Sequence, residues 1–166
     1  VYAWNGAYWT QQGQDIDGET AGDYSGVSIS MNSTGDRLAI GASDNDGNGF
    51  NSGHVRIYAW NGISWAQQGQ DIDGEAEYDV ACRVSINGAG NRVAIGASGN
   101  DGNGNGAGHV RIYAWNGTLW TQLGQDIDGE GAGDGSSAVS MNVAGDRLAI
   151  GASGNDGNGS NAGHVR

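Results

Sequence analysis

The sequence has no proline and no lysine, a single cysteine, and no long apolar run. Each absence removes a class of explanation. Without lysine, the cations are seven arginines against 19 acidic residues, and the formal charge is −12. A surface of that sign repels phosphate backbones and anionic lipid, so nucleic acid and a polybasic membrane anchor are not expected. No stretch approaches the roughly 20 apolar residues of a spanning helix, so membrane insertion is not expected either. Cys82 has no partner for an internal disulfide and says little about redox compartment. The chain opens on Val1 without a signal-peptide pattern, which reads as a mature piece or a part of something longer.

Glycine is the opposite extreme, at 33 residues. Glycine alone would be compatible with disorder, but disordered segments lack aromatic and β-branched residues. Here six Trp and six Tyr are placed at regular intervals. Short strands joined by many tight turns account for both facts.

The regularity is a threefold repeat. Trp4, Trp60 and Trp115 each stand in Y-A-W-N-G, at steps of 56 and 55 residues. His54, His109 and His164 each stand in G-H-V-R, at steps of 55. The shared unit begins Y-A-W-N-G-x-x-W-x-Q-x-G-Q-D-I-D-G-E and passes through a variable stretch. It then continues S-[IM]-N-x-x-G-[DN]-R-[LV]-A-I-G-A-S, D-G-N-G and G-H-V-R. The units run 1–57, 58–112 and 113–166. The sequence is cut within one strand of the unit, because Val1-Tyr2-Ala3-Trp4 aligns with Ile57-Tyr58-Ala59-Trp60 and Arg166 with Arg56.

Each unit holds four strand candidates, taken here from the first full copy. They are Gly26 to Met31, Arg37 to Ser43, His54 to Trp60, and a fourth near Ser64 to Gln70. Side chains alternate in size or polarity along them, and the breaks carry Asn, Asp, Ser and Gly. No helical period of useful length occurs. Four short antiparallel strands per unit predict an all-β fold, a β-propeller of four-stranded antiparallel blades with three blades in this chain. Small residues in the first two strands suit the crowded axis of such a ring. The bulky Trp and Tyr suit its wider rim. A β-solenoid is the rival, and the Trp-Asn-Gly hairpin signal argues against it.

The run VSISMNSTGDRLAIGAS, followed by GHVRIYAW, resembles the FG-GAP repeat, the blade unit of integrin-type β-propellers. It is similar above all to a Trp-rich, DIDGE-containing bacterial and algal variant, and the resemblance spans all three units. It implies a propeller in an extracellular or cell-surface setting and does not imply an enzyme. In integrin-like blades, calcium binds between the first and second strands. The corresponding turns here are Asn32 to Asp36, Asn87 to Asn91 and Asn142 to Asp146. Each offers one carboxylate or none, far from the six to eight oxygens calcium takes, so that site does not carry over.

A calcium-like pattern occurs one turn later. Asp44, Asp46 and Asn48 are spaced as in an EF-type loop, with Gly49 at the sharp turn but Val55 where a bidentate Glu belongs. The second unit keeps Asp101 and Asn103, and the third keeps Asp156 and Asn158, while Gly99 and Gly154 replace Asp44. A turn keeps its Gly and Asn, whereas a ligand set keeps its charges, so a turn is favoured over a weak calcium site.

Q-D-I-D-G-E is identical in all three units. An inter-blade turn with Ile16, Ile72 and Ile127 in the core is favoured over a metal or catalytic role, since an active site rarely needs three copies. The histidines are read as structural. A zinc site of three histidines would need them to converge from separate blades. Trp4, Trp60 and Trp115, with Trp9, Trp65 and Trp120, fill the wedge between blades or stack on sugars, and filling is favoured for at least one of each pair. Tyr24, Tyr78 and Cys82 lie in the most variable stretches, where blades would differ in binding.

Three blades do not close a ring. The partners expected are a second copy of the chain, giving six blades, or further blades of a longer parent chain. The expected function is non-enzymatic: adhesion, surface structure or protein binding. The alternative is a lectin-like propeller binding glycan at several blades.

Overall fold

A computed structural model describes all 166 residues. There is no helix. β1 (Tyr2–Trp4) and β2 (Trp9–Gln11) form a hairpin. β3 (Ser25–Met31), β4 (Arg37–Ala42), β5 (His54–Trp60), β6 (Trp65–Gln67) and β7 (Ile72–Asp73) form a five-stranded sheet. β8 (Ala81–Ile86), β9 (Arg92–Ala97), β10 (His109–Trp115), β11 (Trp120–Gln122) and β12 (Ile127–Asp128) repeat it. β13 (Ala138–Met141), β14 (Leu148–Ala152) and β15 (His164–Val165) form a three-stranded sheet. Every pairing between these strands is antiparallel.

The four strands expected per unit are present, and a fifth accompanies them. Ile72 and Asp73 of the D-I-D-G-E segment pair back onto Val55 and His54, beside the stretch of β5 that pairs with β6. Two residues are too short a run to show alternation, which is why this strand is invisible in the sequence. Ile72 is buried and Ile16 packs against the core, but Ile127 is 36% exposed, so the segment plugs the core only where a following sheet covers it.

Tight turns follow from residues that bond their own backbone. Asn61 Oδ1 accepts the amides of Ile63 and Ser64, closing Trp60 onto Trp65. Asn32 Oδ1 accepts the amides of Asp36 and Arg37, closing β3 onto β4. Asn5, Asn116, Asn87 and Asn142 repeat these two turns in the other units.

The sheets stack face to face, β3 and β4 against β8, and β8 and β9 against β13. Small residues make the approach close. Gly41 faces the carbonyl of Cys82, and Gly96 faces the carbonyl of Ser137, so closely that an added Cβ at either would overlap the oxygen. Ala39, Ala42, Ala94 and Ala97 beside them are fully buried. Ser28 and Ser30 hydroxyls accept the amides of Val84 and Ile86 in the next sheet, and Ser85 accepts that of Met141. The main apolar core lies in this seam, with Val55, Ile57, Val84, Ile86, Val93 and Ile95 among its members.

A second lock lies at the outer strands. Gln14 exchanges hydrogen bonds with the backbone of Trp65, and Trp65 Nε1 donates to the carbonyl of Gln12. Gln70 and Gln68 hold Trp120 in the same way. Gly13 and Gly69 leave room for the following Trp pair, with added Cβ atoms falling 2.6 Å from Trp60 and Trp115.

Two outcomes check this packing. Gly96→Ala is expected to destabilise by about 3 kcal/mol, the upper end of overpacking costs, because backbone rather than a side-chain tip must move. Gly131→Ala, which meets only a carboxylate oxygen at 4.0 Å, should be near neutral in the same denaturant titration. Gln70→Ala should cost about 1–3 kcal/mol, having stripped two bonds from the buried Trp120 backbone.

Candidate functional site

The polar side chains that could bind something gather at the ends of the outer strands, and most are already engaged. In the D-G-N-G loops, Asp46 Oδ1 accepts the amide of Asn51, Asp101 Oδ1 that of Gly106, and Asp156 Oδ1 that of Asn161. Asn48 Nδ2 donates to the carbonyls of Gly74 and Glu75, and Asn103 Nδ2 to those of Gly129 and Glu130. Asp44 accepts from the hydroxyl of Ser43. Asn158 lies on the exposed tip of the third loop. These loops make the bonds of a turn and tie it to the D-G-E segment of the next unit.

Beneath each loop lies a polar pair that escaped the sequence reading. Asn45 Nδ2 donates to Asp23, Asn100 to Asp79 and Asn155 to Asp134. The three aspartates are nearly inaccessible and also accept backbone amides of Thr20, Glu75, Ala76 and Gly131. The signal was present. Within the otherwise variable stretch, an Asp recurs at 23, 79 and 134, with the same 56- and 55-residue steps as the tryptophans.

The aromatic candidates divide by position along the stack. Trp65 and Trp120 are buried, and Trp60 and Trp115 pack partly buried beside them, with ring centroids 5.5 and 5.4 Å apart. Trp4 and Trp9 make the same pair at 5.7 Å but are more than half exposed, having no preceding arm against them. Tyr24 and Tyr78 are exposed, each with a positive φ, and Tyr78 meets Phe50 edge-on at 5.5 Å. Cys82 is buried with its thiol pushed above the usual range by that burial, the wrong environment for a reactive thiolate. A cleft of about 520 Å³ runs between Glu19, Asp23, Asp44, Asp46 and Phe50.

The histidines do not converge on one another, but each converges on carboxylates. His109 is 1% exposed, and its Nδ1 lies 3.8 Å from Glu75 Oε2 and 3.8 Å from Asp126 Oδ2. His54 Nδ1 lies 3.7 Å from Glu19 Oε2, and Asp71 completes the group. Within each trio the three ligand-capable atoms lie within 4.8 Å of one another. His164 Nδ1 lies 3.7 Å from Glu130 Oε2. Each group takes Glu from one Q-D-I-D-G-E arm, His from the strand that follows, and the first Asp from the next arm. His and Asp stand 17 residues apart and Glu a further 34 or 35 before the His, so no local motif announces the grouping.

The other carboxylate oxygens are tethered. Arg111 Nη1 approaches Glu75 Oε1 at 3.1 Å and Arg56 Nη1 approaches Glu19 Oε1 at 3.4 Å. Gln67 donates to Asp71 Oδ1 and Gln122 to Asp126 Oδ1. Burial, then the Asp71 charge, pushes the Asp73 carboxyl above the usual range. Burial, with Arg111 second, holds His109 below the usual imidazole range, against the opposing pull of Glu75, Asp126 and Asp79.

No protein-family model matches this chain, and no curated protein matches it. The functional reading therefore rests on the residues themselves.

The lowered His109 pKa has a pH consequence. An unfolded histidine takes its proton near pH 6.5, before the folded one does. The unfolded state then binds more protons, so stability falls as pH drops through about 6.5 and is complete above it. The slope from this residue is at most about 1.4 kcal/mol per pH unit. Unfolding titrations across that range should show it in the native chain and lose it in His109→Gln.

Proposed function

We propose that the chain is three units of an FG-GAP-like β-propeller, acting without catalysis as a binding and assembly scaffold outside the cell or at its surface. One observation carries the reading. The lock between consecutive sheets is made twice inside the chain and is left unmade at both ends. Val84 and Ile86 of β8 are buried beneath the preceding sheet, while their counterparts Ile29 and Met31 of β3 are 66% and 44% exposed. Gly13 and Gly69 each face a Trp pair, while Gly124 faces open space. The Trp4–Trp9 pair is the matching piece, and it is unclaimed.

The partner that fits is another unit of the same kind. A second copy would seat its Trp4–Trp9 hairpin on the Gly124–Gln125 arm. Its Val1-Tyr2-Ala3-Trp4 would extend β15, rebuilding the seven-residue strand seen intact as β5 and β10. Two chains would supply six sheets, within the four to eight blades that close a propeller. The charge of −12 and the resemblance to FG-GAP repeats support an adhesive or surface role, and identical polar groups in successive units support a scaffold over an active site.

A glycan-binding reading draws on a different feature. The Phe50–Tyr78 pair stands exposed, and Phe50 borders the acidic cleft, an aromatic face beside hydrogen-bonding groups. Under that reading, Tyr78→Ala abolishes binding on a glycan array and leaves the fold intact.

Light scattering on the purified chain tests the assembly. The expected mass is twice the 16.9 kDa of one chain, and Trp9→Ala should halve it while leaving the β-sheet circular dichroism unchanged. A native chain that stays monomeric at high concentration rules out self-closure and leaves further units of a longer chain as the occupant.

A further inference from the structure

We propose that Glu75, His109 and Asp126 form a site for a divalent cation of the zinc type, and that Glu19, His54 and Asp71 form a second. The inference does not depend on ring closure, since both groups lie wholly within the chain.

Three observations carry it. First, the donor set and its spacing suit the ion. Zinc–nitrogen and zinc–oxygen bonds of about 2.0–2.2 Å at the tetrahedral angle place two ligand atoms roughly 3.3–3.6 Å apart. The His109 Nδ1 distances of 3.8 Å to Glu75 and Asp126 lie just above that range, as does the 3.7 Å from His54 to Glu19, and a small side-chain rotation closes them onto an ion.

Second, the imidazoles are buried, polar and aimed at the carboxylates without bonding them. His54 and His109 side chains are each 2% exposed. A charge-assisted hydrogen bond to a carboxylate would close to about 2.7–2.9 Å. At 3.7–3.8 Å none is made to these groups. An ion between the three groups satisfies all of them at once.

Third, the remaining oxygens are oriented. Arg111 holds Glu75 Oε1 and Gln122 holds Asp126 Oδ1, which turns Oε2 and Oδ2 toward the ring. Arg56 and Gln67 repeat the arrangement around Glu19 and Asp71. Partners of this kind fix ligand direction in built metal sites. The same architecture occurs at two junctions.

One nitrogen and two carboxylates are a borderline set. Calcium takes six to eight oxygens and has no use for the imidazole. Zinc binds this mixture with water completing four-coordination, and the exposed outer sides of Glu75 and Asp126 admit that water. The ion would pin two consecutive arms to the strand between them, cross-linking the stack where each unit passes to the next.

Calorimetric titration of the Trp9→Ala chain with Zn2+ at neutral pH tests the proposal, since a monomer completes these two groups and leaves Glu130 and His164 without an Asp from a following arm. The expected result is saturable uptake of two ions per chain, undiminished by excess Ca2+. Asp126→Asn keeps the shape of the side chain and should lower uptake to one ion; Asp71→Asn with Asp126→Asn should abolish it. Asp46→Asn, in the D-G-N-G turn, should leave uptake at two. A second readout needs no substitution: Zn2+ should shift the imidazole Nδ1 resonances of His54 and His109 in long-range proton–nitrogen spectra. Absence of saturable uptake overturns the proposal. So does uptake unchanged in the double variant, displacement by Ca2+, or uptake without movement of those two resonances.

Discussion

Everything in this molecule depends on how closely one sheet lies on the next. Gly41 and Gly96 bring a strand within contact of the carbonyls of Cys82 and Ser137, a distance at which no side chain fits. Ala39 and Ala94, two residues earlier on the same strand face, keep the surface flat. At that separation a serine hydroxyl reaches the neighbouring amides, so Ser28, Ser30 and Ser85 add hydrogen bonds to what would otherwise be a purely apolar contact. The approach cannot be equally close across the whole sheet. Strands twist, and space opens toward the outer edge. There the Trp pairs fill it, and the Gln arms fasten them. Small residues inside and large ones outside are two results of one wedge-shaped gap.

The same gap explains the charge arrangement. An arm that crosses from one sheet to the next must satisfy its own backbone on the way. Arg56 and Arg111 donate to the carbonyls of Asp17 and Asp73 in the arms that pass over them. Each arginine also meets the Glu at the end of that arm. The histidine two residues earlier in the strand points the same way, because alternate residues of a strand share a face. The conserved spacing G-H-V-R is therefore one grip on the arm, with the valine between turned into the core.

Much of the fold was legible because period and punctuation agree. The His54–Trp60 strand has the same limits in sequence and structure, and Arg37–Ala42 and Ser25–Met31 differ from expectation by a single residue. Hairpin turns at Trp-Asn-Gly and at Asn32 to Asp36 follow from Asn bonding its own backbone, a local effect that sequence carries. Less was legible at the seam. β7 and β12 exist because the arm returns to a particular strand edge, which no two-residue pattern encodes. The Glu–His–Asp groups draw on three segments that meet only after sheets have stacked. The buried Asp23, Asp79 and Asp134 were legible in principle, but a constant residue inside a variable stretch is easily read with its surroundings.

The two sets of polar residues are built differently. In the D-G-N-G loops, Asp Oδ1 and Asn Nδ2 bond backbone groups of the loop and of the next arm, as a turn requires. At the seam, Arg and Gln occupy one oxygen of each carboxylate and leave the other directed at an imidazole that it does not bond. A motif read along the chain weighs residue types and spacing and therefore points to the loops. Buried imidazoles facing carboxylates are found at the seam and not in the loops. For a repeat protein this distinction has a structural reason. A turn must be satisfied within one unit, whereas a group assembled from two consecutive arms exists only when units stack, and so reports on the stacking that creates it.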